Sequence, residues 1–274
     1  MKDILGKVTY HAVYDHSIVD ALQFAKANGF AGVQVAVETP HLAFAGIDSD
    51  ERRRIREYVD ADGLILSLHG PDDTASLFEA NPRLREGIFS YFDELFRFAE
   101  EAGAGLIAFH AGPMASFPTD TEPAERLPRE DLGAYKATLA ANLRRLVELA
   151  AGRFTLCIEN YRMDAAVLDS VEAYLAEGML SLCWDVAKTY DARGKLNESL
   201  YSFFTRNIEH VRQVHLHDIR NGRSHMTIGT GIVDFKLFLS VLAGADVREY
   251  CIEVRPREKA AESLARLRSL LAAI

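Results

Sequence analysis

The sequence predicts a single (β/α)8 barrel, one α/β domain spanning residues 1–274. Three observations carry this reading. Short runs of β-branched and aliphatic residues alternate eight times with longer stretches of helical periodicity. A chain of 274 residues fits one closed barrel, which typically takes ~250 residues. Most of the apolar runs end in a carboxylate or an imidazole, which is where parallel barrels carry their chemistry. A doubly wound open sheet is the rival, but eight regular units over this length favour closure.

The first unit pairs a strand near 6–12 with a helix near 17–28. Ser17 and Asp20 have the spacing of a helix cap and its partner, and Gly29 offers a stop. The second unit runs from a strand at 32–37 to a helix at 48–62. The third strand, 64–69, precedes a helix at 81–102 that opens on Asn81–Pro82 and closes on Gly103. The fourth strand, 105–110, and its helix, 131–151, are separated by an irregular segment, 111–130. That segment holds Pro113, Pro118, Pro123 and Pro128, half of the chain's 8 prolines, and such a length points to a lid or substrate wall. The fifth unit, 154–159 and 164–177, stops at Gly178. The sixth, seventh and eighth strands are expected at 181–185, 211–217 and 249–254, with helices at 196–208, 234–243 and 257–273.

The balance of 49% hydrophobic and 26% charged residues is that of a soluble globular protein with a large core. A net charge of −9 argues against a nucleic-acid partner, which selects a basic excess. No apolar run of ~18 residues predicts a membrane span, and MKDILGKVTYH lacks the apolar core of a secretory leader. The 3 cysteines all lie in apolar runs, so a cytoplasmic protein with reduced thiols is expected.

The polar residues that end the apolar runs are Glu38 in VAVETP, His69 in LSLHGP, His110 in IAFHAGP and Glu159 in LCIENY. They continue with Asp185 in LCWDVAK, His215 and His217 in VHLHD, and Glu253 in CIEVRP; the first strand ends near His11. Burying each alone would be costly, whereas a divalent cation draws carboxylates and neutral imidazoles together. Strand alternation turns Cys157, Cys183 and Cys251 inward, one layer below Glu159, Asp185 and Glu253, as small fillers rather than thiolate ligands. Trp184, next to Asp185, should face outward into helix packing. His16, His41 and His210 fit no strand end and read as surface or loop residues.

The ordered motifs LHGP, FHAGP, IEN, WDVAK, VHLHD, IGTG and IEVRP resemble the xylose-isomerase-like TIM-barrel superfamily, which includes sugar isomerases and epimerases and endonuclease-IV-type nucleases. The resemblance implies a metal site of Glu159, Asp185, His215 and Glu253, with Glu159 and Glu253 also moving the substrate's proton. It implies that His69 and His110, with a bridging Glu159, hold another metal in the nuclease branch. That branch's third metal takes two histidines and an aspartate; here Lys188 and Arg223 stand at two of those positions and His225 at the third, so no third metal is expected.

The chemistry so implied is isomerisation or epimerisation of a sugar-like hydroxycarbonyl compound, with manganese or zinc stabilising an enediolate and Glu159 and Glu253 on opposite faces. Lys188 would polarise a substrate oxygen or, equally, pair with a nearby carboxylate; Glu38, His217, His225 and Arg255 are the other candidate substrate contacts. Arg162, Arg220, Arg223 and Arg255 follow strands, and Gly229–Thr230–Gly231 either cradles a phosphate or forms a tight structural turn. The alternatives are two-metal phosphoester hydrolysis and a non-catalytic metal- or sugar-binding barrel. The expected partner is a small sugar-like molecule, and a homo-oligomer is compatible with the resemblance.

Overall fold

A computed structural model describes residues 4–114, 129–163 and 165–273. Seven consecutive strands form most of a parallel barrel: β1 (Val8–Ala12), β2 (Gly32–Ala36), β3 (Ile65–His69), β4 (Leu106–Phe109), β5 (Thr155–Glu159), β6 (Ser181–Asp185) and β7 (Val211–Leu216). Then come β8 (Asp218–Arg220) and β9 (Arg223–Met226), a short antiparallel hairpin outside the barrel. The eighth barrel strand, β10 (Glu249–Ile252), pairs with both β7 and β1 and closes the sheet.

The expected helices are present within a few residues: α1 (Ile18–Asn28), α2 (Ser49–Asp62), α3 (Pro82–Ala102), α4 (Arg129–Ala150), α5 (Ala165–Ala176), α6 (Glu198–Arg206), α7 (Phe235–Leu242) and α8 (Arg257–Ala272). Their ends follow local chemistry. Ser17 accepts the Asp20 N–H at 3.1 Å, and Asn81 accepts the Arg83 N–H at 3.0 Å ahead of Pro82. Each such cap contributes about 1 kcal/mol. Gly29 and Gly103 then leave α1 and α3 in the left-handed conformation, with φ of 75° and 86°. Of the proline-rich segment, 115–128 lies outside the described residues, and with it most of the expected lid. Among the described residues no helix is long and apolar enough to cross a membrane.

Both faces of the strands are buried, with opposite chemistry. Outward residues such as Tyr10, Val35, Leu68, Ile158 and Leu216 pack against the helices in one continuous apolar core. Trp184 joins them as expected, stacked on Phe204 at 4.9 Å and donating to Thr189 Oγ1 at 2.9 Å. The barrel interior is polar and layered. At its floor the buried Glu249 carboxylate accepts from Thr9 Oγ1 (2.5 Å), Ser67 Oγ (2.8 Å) and Gln213 Nε2 (2.8 Å). Above it lie Cys157, Cys183 and Cys251, all unpaired and buried, with burial raising every thiol pKa, so they fill space as neutral groups. The acids that follow them by two residues form the layer at the mouth.

The hairpin β8–β9 departs from the expected seven-to-eight connection. Its turn is Asn221–Gly222, with φ of 55° and 72°, the residue pair that fits a two-residue hairpin turn. The strands beside it are too short and polar to show a period of two.

Candidate metal centre

The side chains that end β3, β4, β5, β6, β7 and β10 converge at one mouth of the barrel. Glu159 Oε2 lies 3.2 Å from His69 Nε2, 3.2 Å from His110 Nε2 and 3.1 Å from His215 Nδ1. Its other oxygen accepts from Lys188 Nζ at 2.8 Å, and the same ammonium is 3.0 Å from Asp185 Oδ2. Glu253 Oε1 is 3.4 Å from both His215 Nδ1 and His11 Nδ1, and Glu253 Oε2 is 3.6 Å from His225 Nε2. Glu159, Asp185, His215 and Glu253 are all buried.

Each group is held by a neighbour. Asn160, which follows Glu159, clamps β6 by donating to the Asp185 carbonyl (3.0 Å) and accepting the Asp185 N–H (2.7 Å). Asp185 Oδ1 accepts the N–H groups of Ala187 (2.9 Å) and Lys188 (3.1 Å), closing the turn that returns Lys188 to the site. His217 Nδ1 accepts the His225 N–H at 3.0 Å, so its Nε2 carries the hydrogen donated to Asp185 Oδ2, also at 3.0 Å. Asp72 Oδ1 sits 2.7 Å from His110 Nδ1, and the Asp72 N–H donates to Glu38 Oε1. Gln34 reaches His215 Nε2 at 3.2 Å. The contact is made by the amide nitrogen, Gln34 Nε2, so His215 Nε2 accepts and the ring carries its hydrogen on Nδ1, facing Glu159 and Glu253.

Electrostatics follow from this crowding. Burial disfavours ionised Glu159, but Lys188, His110 and His215 outweigh it and hold the carboxyl well below its usual range. Glu253 behaves likewise: burial opposes, while His215, His225 and His11 hold it low. Burial also disfavours charged imidazole at His110 and His215, yet the carboxylates around them raise both to about 9. Burial keeps His11 and His69 below the ordinary histidine value. Burial lifts Glu38 to about 7, against the Asp72 hydrogen bond.

The profile of the xylose isomerase-like TIM barrel matches residues 22–270. The chain belongs to that family. Among solved structures, a D-tagatose 3-epimerase-like protein matches with a TM-score of 0.75 at 18% identity, over 97% of each chain. A protein from Thermus thermophilus, soaked with ZnCl2, matches with a TM-score of 0.73 at 23% identity, over 98% of this chain and 99% of its own. Endonuclease IV from the same organism matches with a TM-score of 0.70 at 18% identity, over 98% and 100%. At these identities the likeness is one of fold. Among curated proteins none matches this sequence.

The donor set of this xylose isomerase-like barrel fits a divalent metal. One ligand atom each from His69, Glu159 and His215 lie within 4.8 Å of one another, and so do those from Asp185, His215 and Glu253. His215 Nδ1, His110 Nε2 and Glu253 Oε2 are buried without a well-directed hydrogen bond, which is costly unless something else satisfies them. Mixed nitrogen and oxygen donors suit zinc or manganese.

Two sequence candidates stand apart from this cluster. Arg255 Nη2 meets His11 Nδ1 at 2.8 Å, reaching Glu253 only through that ring, and Glu38 supports the Asp72 backbone. The Gly229–Thr230–Gly231 turn is structural: the Thr230 and Gly231 N–H groups point at Asp218 Oδ2, at 2.9 and 2.7 Å, rather than outward to an anion. A Cβ on Gly231 would meet the Ile219 carbonyl oxygen at 2.0 Å. Sequence reasoning missed Gln34, Asp72, Asn160, Asp218 and Glu249. Strand parity flags Glu249, four residues before Glu253 on the same face, and Gln34. Asp72 carries no such signal, because it lies in a loop.

Proposed function

We propose that this chain is a divalent-metal-dependent isomerase or epimerase acting on a sugar or related hydroxycarbonyl compound, the whole of 1–274 serving as one barrel domain. The observation that carries the reading is the approach of Glu159 and Glu253 to one imidazole atom, His215 Nδ1, at 3.1 and 3.4 Å. Beside them opens a cleft of about 1110 Å³ lined in part by Asn160, Tyr161, Lys188 and His217, ample for a monosaccharide. The epimerase-like relative supports the substrate class, and the zinc-soaked one supports the metal.

Glu159 Oε2, His215 and Glu253 would hold the ion, with His69 and His110 completing the Glu159 side and Asp185, whose Oδ2 meets Lys188 and His217, standing behind it. When bound, the ion would supply Lewis-acid stabilisation of the negative charge that develops on the substrate's carbonyl oxygen. Glu253 is the better base, since its Oε2 has no well-directed partner, whereas both Glu159 oxygens are engaged. Glu159 would act on the opposite face, returning a proton drawn from the Lys188 ammonium that donates to its Oε1. Tyr161 and His217 line the cleft and bound the substrate; His225, 29% exposed, stacks on His217 at 4.3 Å from behind. Arg255 and Glu38 would act at a distance, through His11 and Asp72.

A second reading, two-metal phosphoester hydrolysis, is favoured by His69 and His110 meeting one Glu159 oxygen. One experiment separates the two. Metal-loaded protein is incubated with ketoses, inososes and hydroxypyruvate-like compounds in deuterated water, and with abasic-site DNA. Deuterium entering a carbon next to a carbonyl, lost in Glu253→Gln, supports isomerisation; strand cleavage without exchange overturns it.

A further inference from the structure

We propose that the Lys188 ammonium is a tethered cation: it fills the position between Glu159 and Asp185 and keeps a divalent ion out of it. The barrel mouth then takes one metal ion fewer than its carboxylates alone would hold.

A lysine that merely lines a cleft keeps its charged tip in water while its stem covers apolar surface. Lys188 does the reverse. Its side chain is 19% exposed, and its Nζ turns inward to two carboxylates that are 0% exposed, Glu159 Oε1 at 2.8 Å and Asp185 Oδ2 at 3.0 Å. The Tyr161 ring lies 4.7 Å from Nζ on a further side, an arrangement that itself favours a cation. The tether is built in: Asp185 Oδ1 accepts the Lys188 N–H at 3.1 Å, so the acid that receives the ammonium also closes the turn that delivers it.

A divalent ion bridging Glu159 Oε1 and Asp185 Oδ2 would need both oxygens at ~2.1 Å. Both already lie 2.8–3.0 Å from Nζ, so that ion and Nζ claim the same space. Charge points the same way. Glu159, Asp185 and Glu253 are three buried carboxylates. One divalent ion and one ammonium neutralise them; two divalent ions and the ammonium would leave an uncompensated positive mouth, which low-dielectric surroundings penalise. His217 does not compete for the role, because its Nε2 carries a hydrogen toward Asp185.

The test is a difference in metal count. Wild-type and Lys188→Ala protein are stripped with chelator, equilibrated by dialysis against the same saturating Mn2+ or Zn2+, and counted by elemental mass spectrometry. About one more ion per chain in Lys188→Ala than in wild type is expected. Equal counts overturn the proposal. The inference rests on the metal-dependent reading only for what the remaining ion does, and the two fail differently. Wild type with no ion and the variant with one would sink that reading and keep Lys188 as a tethered cation. One ion in each would do the opposite. Should Lys188→Ala fail to fold, Lys188→His, which adds an imidazole lone pair at the same place, is read by the same count; no gain there also overturns the proposal.

Discussion

Replacing Asp218 with asparagine should cost the fold ~2–4 kcal/mol. The buried Asp218 carboxylate accepts four backbone N–H groups: Ile219 (2.8 Å) and Val233 (3.1 Å) on Oδ1, Thr230 (2.9 Å) and Gly231 (2.7 Å) on Oδ2. Asparagine keeps one oxygen for two of these donors and sets an NH2 group against the other two. Each buried donor left unmatched costs ~1–3 kcal/mol, and the partly exposed Thr230 and Gly231 recover some of it from water, hence the lower half of the sum. Asp218→Ala, which strands all four donors, should cost more. Urea denaturation with linear extrapolation reads both, with an unchanged slope showing that only stability moved. A loss under ~1 kcal/mol for asparagine, or an alanine variant no worse than asparagine, would refute the reasoning. If instead the Gly229–Thr230–Gly231 turn were an anion cradle, inorganic phosphate would raise the wild-type melting temperature; no shift is expected.

The remaining predictions concern protons and metal. Asp72→Asn loosens His110, whose Nδ1 it contacts at 2.7 Å, and should weaken metal affinity at least ~10-fold with the fold intact, as loss of a carboxylate behind a ligating histidine generally does; unchanged affinity on titration would place His110 outside the metal site. Because His110 and His215 sit at about 9 in the ion-free protein, metal must displace their protons. Apparent affinity should therefore rise at least ~10-fold per pH unit between pH 6 and 8, and a flat profile would show that neither ring is a ligand. Glu38 is raised from 4.5 to about 7, so the folded chain binds its proton more tightly than the unfolded one. The stability this confers is full below pH 4.5 and is lost as pH rises through 7. Glu38→Gln should then flatten a decline of up to ~3 kcal/mol over that window, and parallel wild-type and variant profiles would show that Glu38 is not desolvated.

Much of the barrel was legible because its signals are local. Helix starts at Ser17 and Asn81 and stops at Gly29 and Gly103 are written in adjacent residues, and the cap bonds form where those residues stand. Strand parity correctly turned Trp184 outward and the three cysteines inward. The hairpin β8–β9 escaped notice although Asn221–Gly222 announced its turn, because polar strands of three and four residues show no alternation.

The sequence alone determined which side chains reach the mouth, since in a parallel barrel every strand end faces the same way and parity fixes inside from outside. On that ground Glu159, Asp185, His215 and Glu253 are expected there together with His69, His110 and His217; that the first four form a metal site is implied by the family resemblance alone. The sequence left open what those groups do to one another. Whether Lys188 lines the cleft or pairs with Glu159 and Asp185, and whether the Gly229–Thr230–Gly231 turn offers its N–H groups to an anion or to Asp218, are matters of a few ångströms. Those distances exist only once the sheet has closed and brought β5, β6 and the loop after β9 together, because hydrogen bonds and ion pairs depend on separations that no spacing along the chain encodes.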